Sequence, residues 1–162
     1  MNQTRRIALA IIVLLVLIAI MLGIEALRGQ KMSIEDVPPG NIPLYLDGDL
    51  EGHFGPADLE NWEVVSFVDA EEGKTQEGWF LSDVLLEHIP QRHLKADTLI
   101  TVSSSSRGKS VELTWSEVED QANYVMFDLS GRNTLKLVSK LEKLDVRDEW
   151  VQDVDRIEIE TQ

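Results

Sequence analysis

From Ile7 to Ile24 the chain runs IALAIIVLLVLIAIMLGI, eighteen residues without a charge, and nothing else in the sequence restricts its fold as tightly. A membrane-crossing helix takes roughly 17–25 such residues. Hydrocarbon offers no partner to backbone N–H and C=O groups, so a spanning segment has to satisfy them within a helix. The apolar core of a cleaved signal peptide is shorter, about 7–15 residues, and closes on a small-x-small site. Here Glu25, Ala26, Leu27 and Arg28 follow Gly23 and Ile24 and supply no such pair. The expectation is therefore a single retained transmembrane helix over residues 7–27, preceded by a short cytoplasmic head, residues 1–6. Arg5 and Arg6 on one side balance Arg28 and Lys31 on the other, so basic residues alone do not orient the span. A short head against a large following domain favours a single-pass protein of the cytoplasmic (inner) membrane, with the C-terminal domain periplasmic or extracellular.

The 162 residues carry 29 Asp and Glu against 15 Lys and Arg, a formal net charge of −14. A polyanion is repelled by such a field, and no basic stripe is present to release phosphate counterions, which excludes nucleic acid as a partner. Anionic lipid headgroups are repelled likewise, so membrane contact is expected through residues 7–27 alone. The chain has no cysteine. Disulfides, thiolate nucleophiles and thiolate metal sites are absent with it.

Residues 28–43 contain Pro38, Pro39, Gly40 and Pro43, which break helix and read as a stalk. Residues 44–162 are near the usual size of one domain. Ile42–Asp47 reads as a strand, Asp47-Gly48-Asp49 and Glu51-Gly52 as turn chemistry, and Asp58–Trp62 as a helical turn. Val64–Val68 reads as a strand and Asp69–Gln76 as an acidic loop. Leu81, Val84, Leu85 and Ile89 lie on one helix face that Pro90 stops. Thr98–Ser103 and Ser110–Thr114 read as paired strands around the loop Ser103–Lys109. Ser116 with Glu119 fits a capping box. Tyr124–Leu129, Thr134–Val138 and Asp155–Glu160 complete the strands.

This order of elements, with Gly78–Leu86, Thr98–Val102, Ser110–Leu113, Tyr124–Leu129, Trp150 and Val154–Ile159, resembles the molybdopterin-binding domain of the sulfite oxidase family, and in particular its small exported single-domain members. The resemblance spans about Leu44 to Glu160. It implies an α+β class, with one mixed-sheet domain behind the N-terminal transmembrane helix. In cofactor-bearing members a cysteine at the end of the strand before the Gly-x-x-Leu helix ligates molybdenum. Here that strand reads Val64-Val65-Ser66-Phe67-Val68-Asp69, and neither a serine alcohol nor a hydrocarbon replaces a thiolate. The loop after it holds Glu71 and Glu72 where a pterin phosphate asks for cations. The resemblance thus implies a fold and no resident cofactor.

Among individual residues, His53, His88 and His93 lack metal-binding spacing, and Asp47-Gly48-Asp49-Leu50-Glu51 fails that of a calcium loop. No Gly-x-Ser-x-Gly elbow marks a hydrolase. The loop Ser103–Lys109 combines four hydroxyls, Gly108, Arg107 and Lys109, a composition able to hold an anion, or simply a polar turn. Ser105, Arg107, Lys109 and Arg132 are the candidate ligand-binding residues; no catalytic, cofactor or metal residue is assigned. The leading expectation is a non-enzymatic module that binds a protein partner as an accessory or sensory subunit of a membrane complex. A small-anion or small-ligand domain using a degenerate cofactor cleft is the alternative, and a molybdopterin oxidoreductase the second alternative.

Overall fold

In a computed structural model the described residues are 12–14, 16–18, 32–129 and 131–161. The chain divides into two units, residues 1–31 and 32–162. In the first, residues 12–14 and 16–18 are helical and exposed. Among the described residues no helix is long and apolar enough to cross a membrane. The expected span over residues 7–27 otherwise lies outside them, as do the head and the start of the stalk. The transmembrane helix, and the single-pass inner-membrane placement drawn from it, are therefore corrected: no described helix carries them.

The second unit also corrects the expectation of one mixed-sheet domain, because the nine strands among its described residues form two sheets. The first has the order β2-β1-β9-β5-β6 and the second β3-β4-β7-β8. The first comprises β1 (Ile42–Leu46), β2 (Asp49–Phe54), β5 (Leu99–Ser104), β6 (Lys109–Thr114) and β9 (Arg156–Glu160). Only β1 and β9 run parallel. The β1–β2 hairpin turns on Asp47 and Gly48, both with positive φ (50° and 85°), as two-residue turns of the primed type require. Asp49 and Glu51-Gly52, read as turn chemistry, thus lie on β2, the second arm of a hairpin.

The second sheet is wholly antiparallel: β3 (Val65–Val68), β4 (Thr75–Phe80), β7 (Met126–Leu129) and β8 (Leu135–Val138). β4 covers the end of the expected acidic loop and continues to the helix. Its Gly78 faces Asp128 across the ladder, and a Cβ built there would lie 1.7 Å from the Phe127 carbonyl oxygen. Only glycine lets β4 and β7 close to this distance.

Three short helices connect the sheets: α1 (Pro56–Leu59), α2 (Leu81–His88) and α3 (Trp115–Glu119). α2 buries Leu81, Val84 and Leu85 and ends before Pro90, as their spacing predicts. α3 starts earlier than expected, with Thr114 in place of Ser116 as its N-cap. The Thr114 hydroxyl accepts from Glu117 N (3.3 Å), while Glu117 Oε2 accepts from Thr114 N (2.8 Å).

The main core gathers Leu44, Ile100, Val102, Ile157 and Ile159 from the first sheet with Trp79, Phe127 and Leu137 from the second, and α2 and α3 join it. A smaller core of Phe67, Phe80, Met126, Val138 and Trp150 forms apart from it. Phe80, Met126 and Val138 are cross-strand neighbours and so share one face of the second sheet, opposite to that of Trp79, Phe127 and Leu137. Trp150 is brought onto that outer face by the segment after β8, which a bridge between Leu137 and Val151 holds in place.

Candidate functional site

The same outer face carries polar side chains next to the small core. Asp128 pairs across the ladder with both Gly78 and Lys136, and Gln76 lies two residues before Gly78. Lys136 Nζ sits 3.1 Å from Asp128 Oδ2, donates to Gln76 Oε1 (2.9 Å) and lies 4.8 Å from the centre of the Trp150 ring. A cation held over an indole face by two oxygens is fixed in place. Burial pushes the Asp128 carboxyl up from its ordinary value, and the Lys136 charge opposes that shift without cancelling it.

Around this lysine is a hollow of about 440 Å³, to which Lys74, Arg132, Arg147, Trp150 and Gln152 also contribute. That is room for a small organic molecule. Glu72 stands at its rim, 2.6 Å from Lys74 and 3.7 Å from Arg147. A second hollow of about 150 Å³ is lined by Arg107, Lys109, Asp148 and again by Arg147, Trp150 and Gln152. The two spaces share a wall, and among the described residues six Lys and Arg side chains border them.

The four predicted residues are divided among these features. Arg132 lines the larger hollow, and Arg107 and Lys109 the smaller. Arg107 Nε and Arg132 Nη2 both reach Asp153 Oδ2 at 2.7 Å, and Thr134 Oγ1 donates to Asp153 Oδ1 at 2.7 Å. The hydroxyl of Thr134, with both guanidinium groups, holds the Asp153 carboxyl below the usual range. Asp153 thus already presents an anion to two of the predicted cations, from a left-handed backbone (φ 55°) that aspartate tolerates. Ser105 is turned elsewhere: its N–H donates to Asp155 Oδ2 (2.8 Å), and its hydroxyl meets the same oxygen. Lys109 donates to the Asp148 carbonyl and lies 4.0 Å from Glu149. The Ser103–Lys109 loop is therefore not a closed anion cradle; its cations form one border of a wider cationic surface.

Lys74, Gln76, Lys136, Arg147, Trp150 and Gln152 were not among the predicted residues. In the sequence they stand on three separate segments, united by the pairing of β4 with β7 and of β7 with β8 and by the Leu137–Val151 bridge. Trp150 was legible as an anchor residue, without a sign that it walls a hollow.

At the end of β3, where the family resemblance places a metal ligand, Asp69 is buried. Its carboxylate accepts from Glu72 N (2.6 Å), Lys74 N (3.2 Å) and Gln76 Nε2 (2.9 Å). These bonds, led by that from Glu72 N, lower its pKa. Asp69 folds the loop and, through Gln76, fixes Lys136. Its hard oxygens, engaged in this way, do not fit the thiolate role.

The histidines stand apart. His53 Nδ1 lies 3.0 Å from Asn41 Nδ2, and His88 stacks on Phe54, where burial lowers its pKa. Asp47, a member of the acidic turn, accepts from Thr161 N at 2.8 Å and from its hydroxyl at 2.7 Å. Among the described residues no group of three or more His, Asp or Glu side chains is placed to hold a metal ion.

Comparison with protein-family models and with curated proteins finds no match to the chain.

Proposed function

We propose that the domain is a non-catalytic binding module whose tryptophan-walled cleft receives an anionic group of a small ligand. The observation that carries this is the gathering of six cations, against the three carboxylates of Glu72, Asp128 and Asp148, around two adjoining hollows on a chain of formal net charge −14. An electropositive recess on an acidic body concentrates anions locally and rejects cations from that one place. Lys136, immobilised between Asp128, Gln76 and Trp150, supplies a fixed charge, and Arg147 and Arg132 supply planar donors suited to carboxylate or phosphate oxygens. As a proposal, the sulfite-oxidase-like resemblance accords with this: the fold would keep the recess and not the metal chemistry.

The test is a titration of the full chain with sulfate, inorganic phosphate and pyrophosphate, followed by amide shifts and by thermal stability. Saturable binding in the millimolar range or tighter is expected, with Lys136→Ala and Arg147→Ala each weakening it about tenfold. Arg92→Ala, remote from the cleft residues in the sequence and outside both hollows, should leave it unchanged. Absence of saturation for all three anions, or equal loss in all three variants, would overturn the reading.

A second reading, that the module docks a protein partner, is favoured by a separate observation: the sheet edge at β3 exposes Val64 and Val68.

A further inference from the structure

In the β3–β4 ladder Asp69 N donates to Lys74 O (2.9 Å), Phe67 stands opposite Gln76, and Val65 opposite Gly78. Alternate residues of an antiparallel pair exchange backbone bonds, so 65, 67 and 69 turn their backbone groups to β4, and Ser66 and Val68 turn theirs outward. Among the described residues no second strand meets them. Side chains alternate as well. Val64, Ser66 and Val68 project on one face, joined there by Glu77, the cross-strand neighbour of Ser66. Val64 is 54% and Val68 59% exposed.

The other outer strands are guarded. Lys143 Nζ caps the Glu112 carbonyl on β6 (2.9 Å), Val151 bridges to β8, and β2 exposes Asp49 and Glu51. β3 contains no lysine, no proline and no register shift, the usual devices against edge pairing.

Charge states what fits this edge. Glu63, Glu77 and Asp83 have no Lys or Arg within ion-pair distance among the described residues, and burial, with the nearby Glu63 charge second, disfavours the ionised form of Asp83. We infer that β3 takes, as an added strand of the second sheet, an extended segment of a protein partner carrying an apolar residue, a Lys or Arg two places on, and another apolar residue two places after that. This deepens the partner reading and is independent of the cleft. The two apolar residues pack on Val64 and Val68. The cation, opposite the small Ser66, reaches over it to Glu77; adjacent strands lie about 4.8 Å apart, so the span is roughly 10 Å from the partner's backbone, within the reach of a long basic side chain and its target together. A second copy of the chain fits less well. Antiparallel β3–β3 pairing about Ser66 sets Val64 against Val68 and brings two Glu77 side chains to the same face, with no cation between them.

The probe is the heptapeptide Thr-Val-Thr-Lys-Thr-Val-Thr, titrated into the full chain and followed by amide shifts and hydrogen exchange. Slowed exchange at Ser66 and Val68 is expected. Replacing the peptide lysine by glutamate, or N-methylating the peptide backbone on its pairing side, should weaken binding about tenfold. Glu77→Lys should invert the preference, so that the glutamate peptide binds the variant and the lysine peptide does not. No binding at millimolar peptide, binding indifferent to N-methylation, or binding unaltered by Glu77→Lys would each overturn the inference, as would a dimer of the chain protected at β3. A photo-crosslinker placed at Val68 or, separately, at Lys95 of the full chain in its own cells distinguishes the two levels. Capture at Val68 that Glu77→Lys abolishes supports the edge; capture only at Lys95 overturns the edge and leaves the partner reading; capture at neither overturns both.

Discussion

Two aspartates illustrate how one carboxylate is used for opposite ends. Asp69 accepts three donors from its own loop, and its pKa is depressed. A group whose folded pKa lies below the unfolded value contributes stability that is complete above the unfolded pKa, near 3.8, and is lost as pH falls through the folded value. Asp69→Asn should therefore lower the urea midpoint at neutral pH, with the gap to the wild-type chain closing as pH drops below that value. Asp153 instead supplies an internal anion to Arg107 and Arg132. Asp153→Asn keeps a residue that tolerates the left-handed backbone and removes the competing charge. Sulfate affinity of the cleft should rise about threefold, while stability falls by less than about 1 kcal/mol because both guanidinium groups stand in contact with solvent. Calorimetric titration and urea unfolding of the same variant check the two halves of this.

At the scale of elements, the start of α3 shows how a local pattern is misassigned. Ser116 with Glu119 and Thr114 with Glu117 both offer the spacing of a capping box, and the sequence gives no reason to choose between them. Tertiary structure decides: Trp115, the first helical residue, is buried in the core with its N–H donated to Thr98 O (2.9 Å), so the helix begins after Thr114. Thr114→Ala should cost about 1 kcal/mol in urea unfolding and Ser116→Ala only a few tenths. The strands read at Ile42–Asp47 and Asp155–Glu160 were legible for different reasons: β1 is a nearly continuous apolar run buried on both faces, whereas β9 alternates buried with half-buried residues. β2 and β4 were not, since Asp49-Leu50-Glu51-Gly52 and Thr75-Gln76-Glu77-Gly78 hold acidic and glycine residues that favour turns when isolated. Their ladder partners override that preference. The candidate site was legible only at its border: Arg107, Lys109 and Arg132 belong to it, while Lys136 and Gln76 are recruited by the register of strands far apart in the chain.

At the scale of the whole molecule, charge sets the terms. Twenty-nine acidic residues repel one another across the surface, and the cationic recess offsets only a local part of that field. Added salt screens such repulsion. The unfolding temperature should rise between 10 and 150 mM sodium chloride, by about 3–5 °C for each kcal/mol of repulsion relieved, measured calorimetrically. A fall would mean that the ion pairs outweigh the repulsion. The division into two sheets was not predictable, because a run of strands with short connections suits one sheet or two equally. What separates them is the core between, to which each sheet contributes one face, leaving the outer face of the second sheet for Trp150 and its neighbours.

That indole lies beneath the Lys136 ammonium and forms part of the wall common to both hollows, whereas Trp79 and Trp115 belong to the main core. The molecule thereby contains its own optical gauge. Any guest that draws Lys136 off the ring alters the emission of one tryptophan, so occupancy can be followed without attaching a dye.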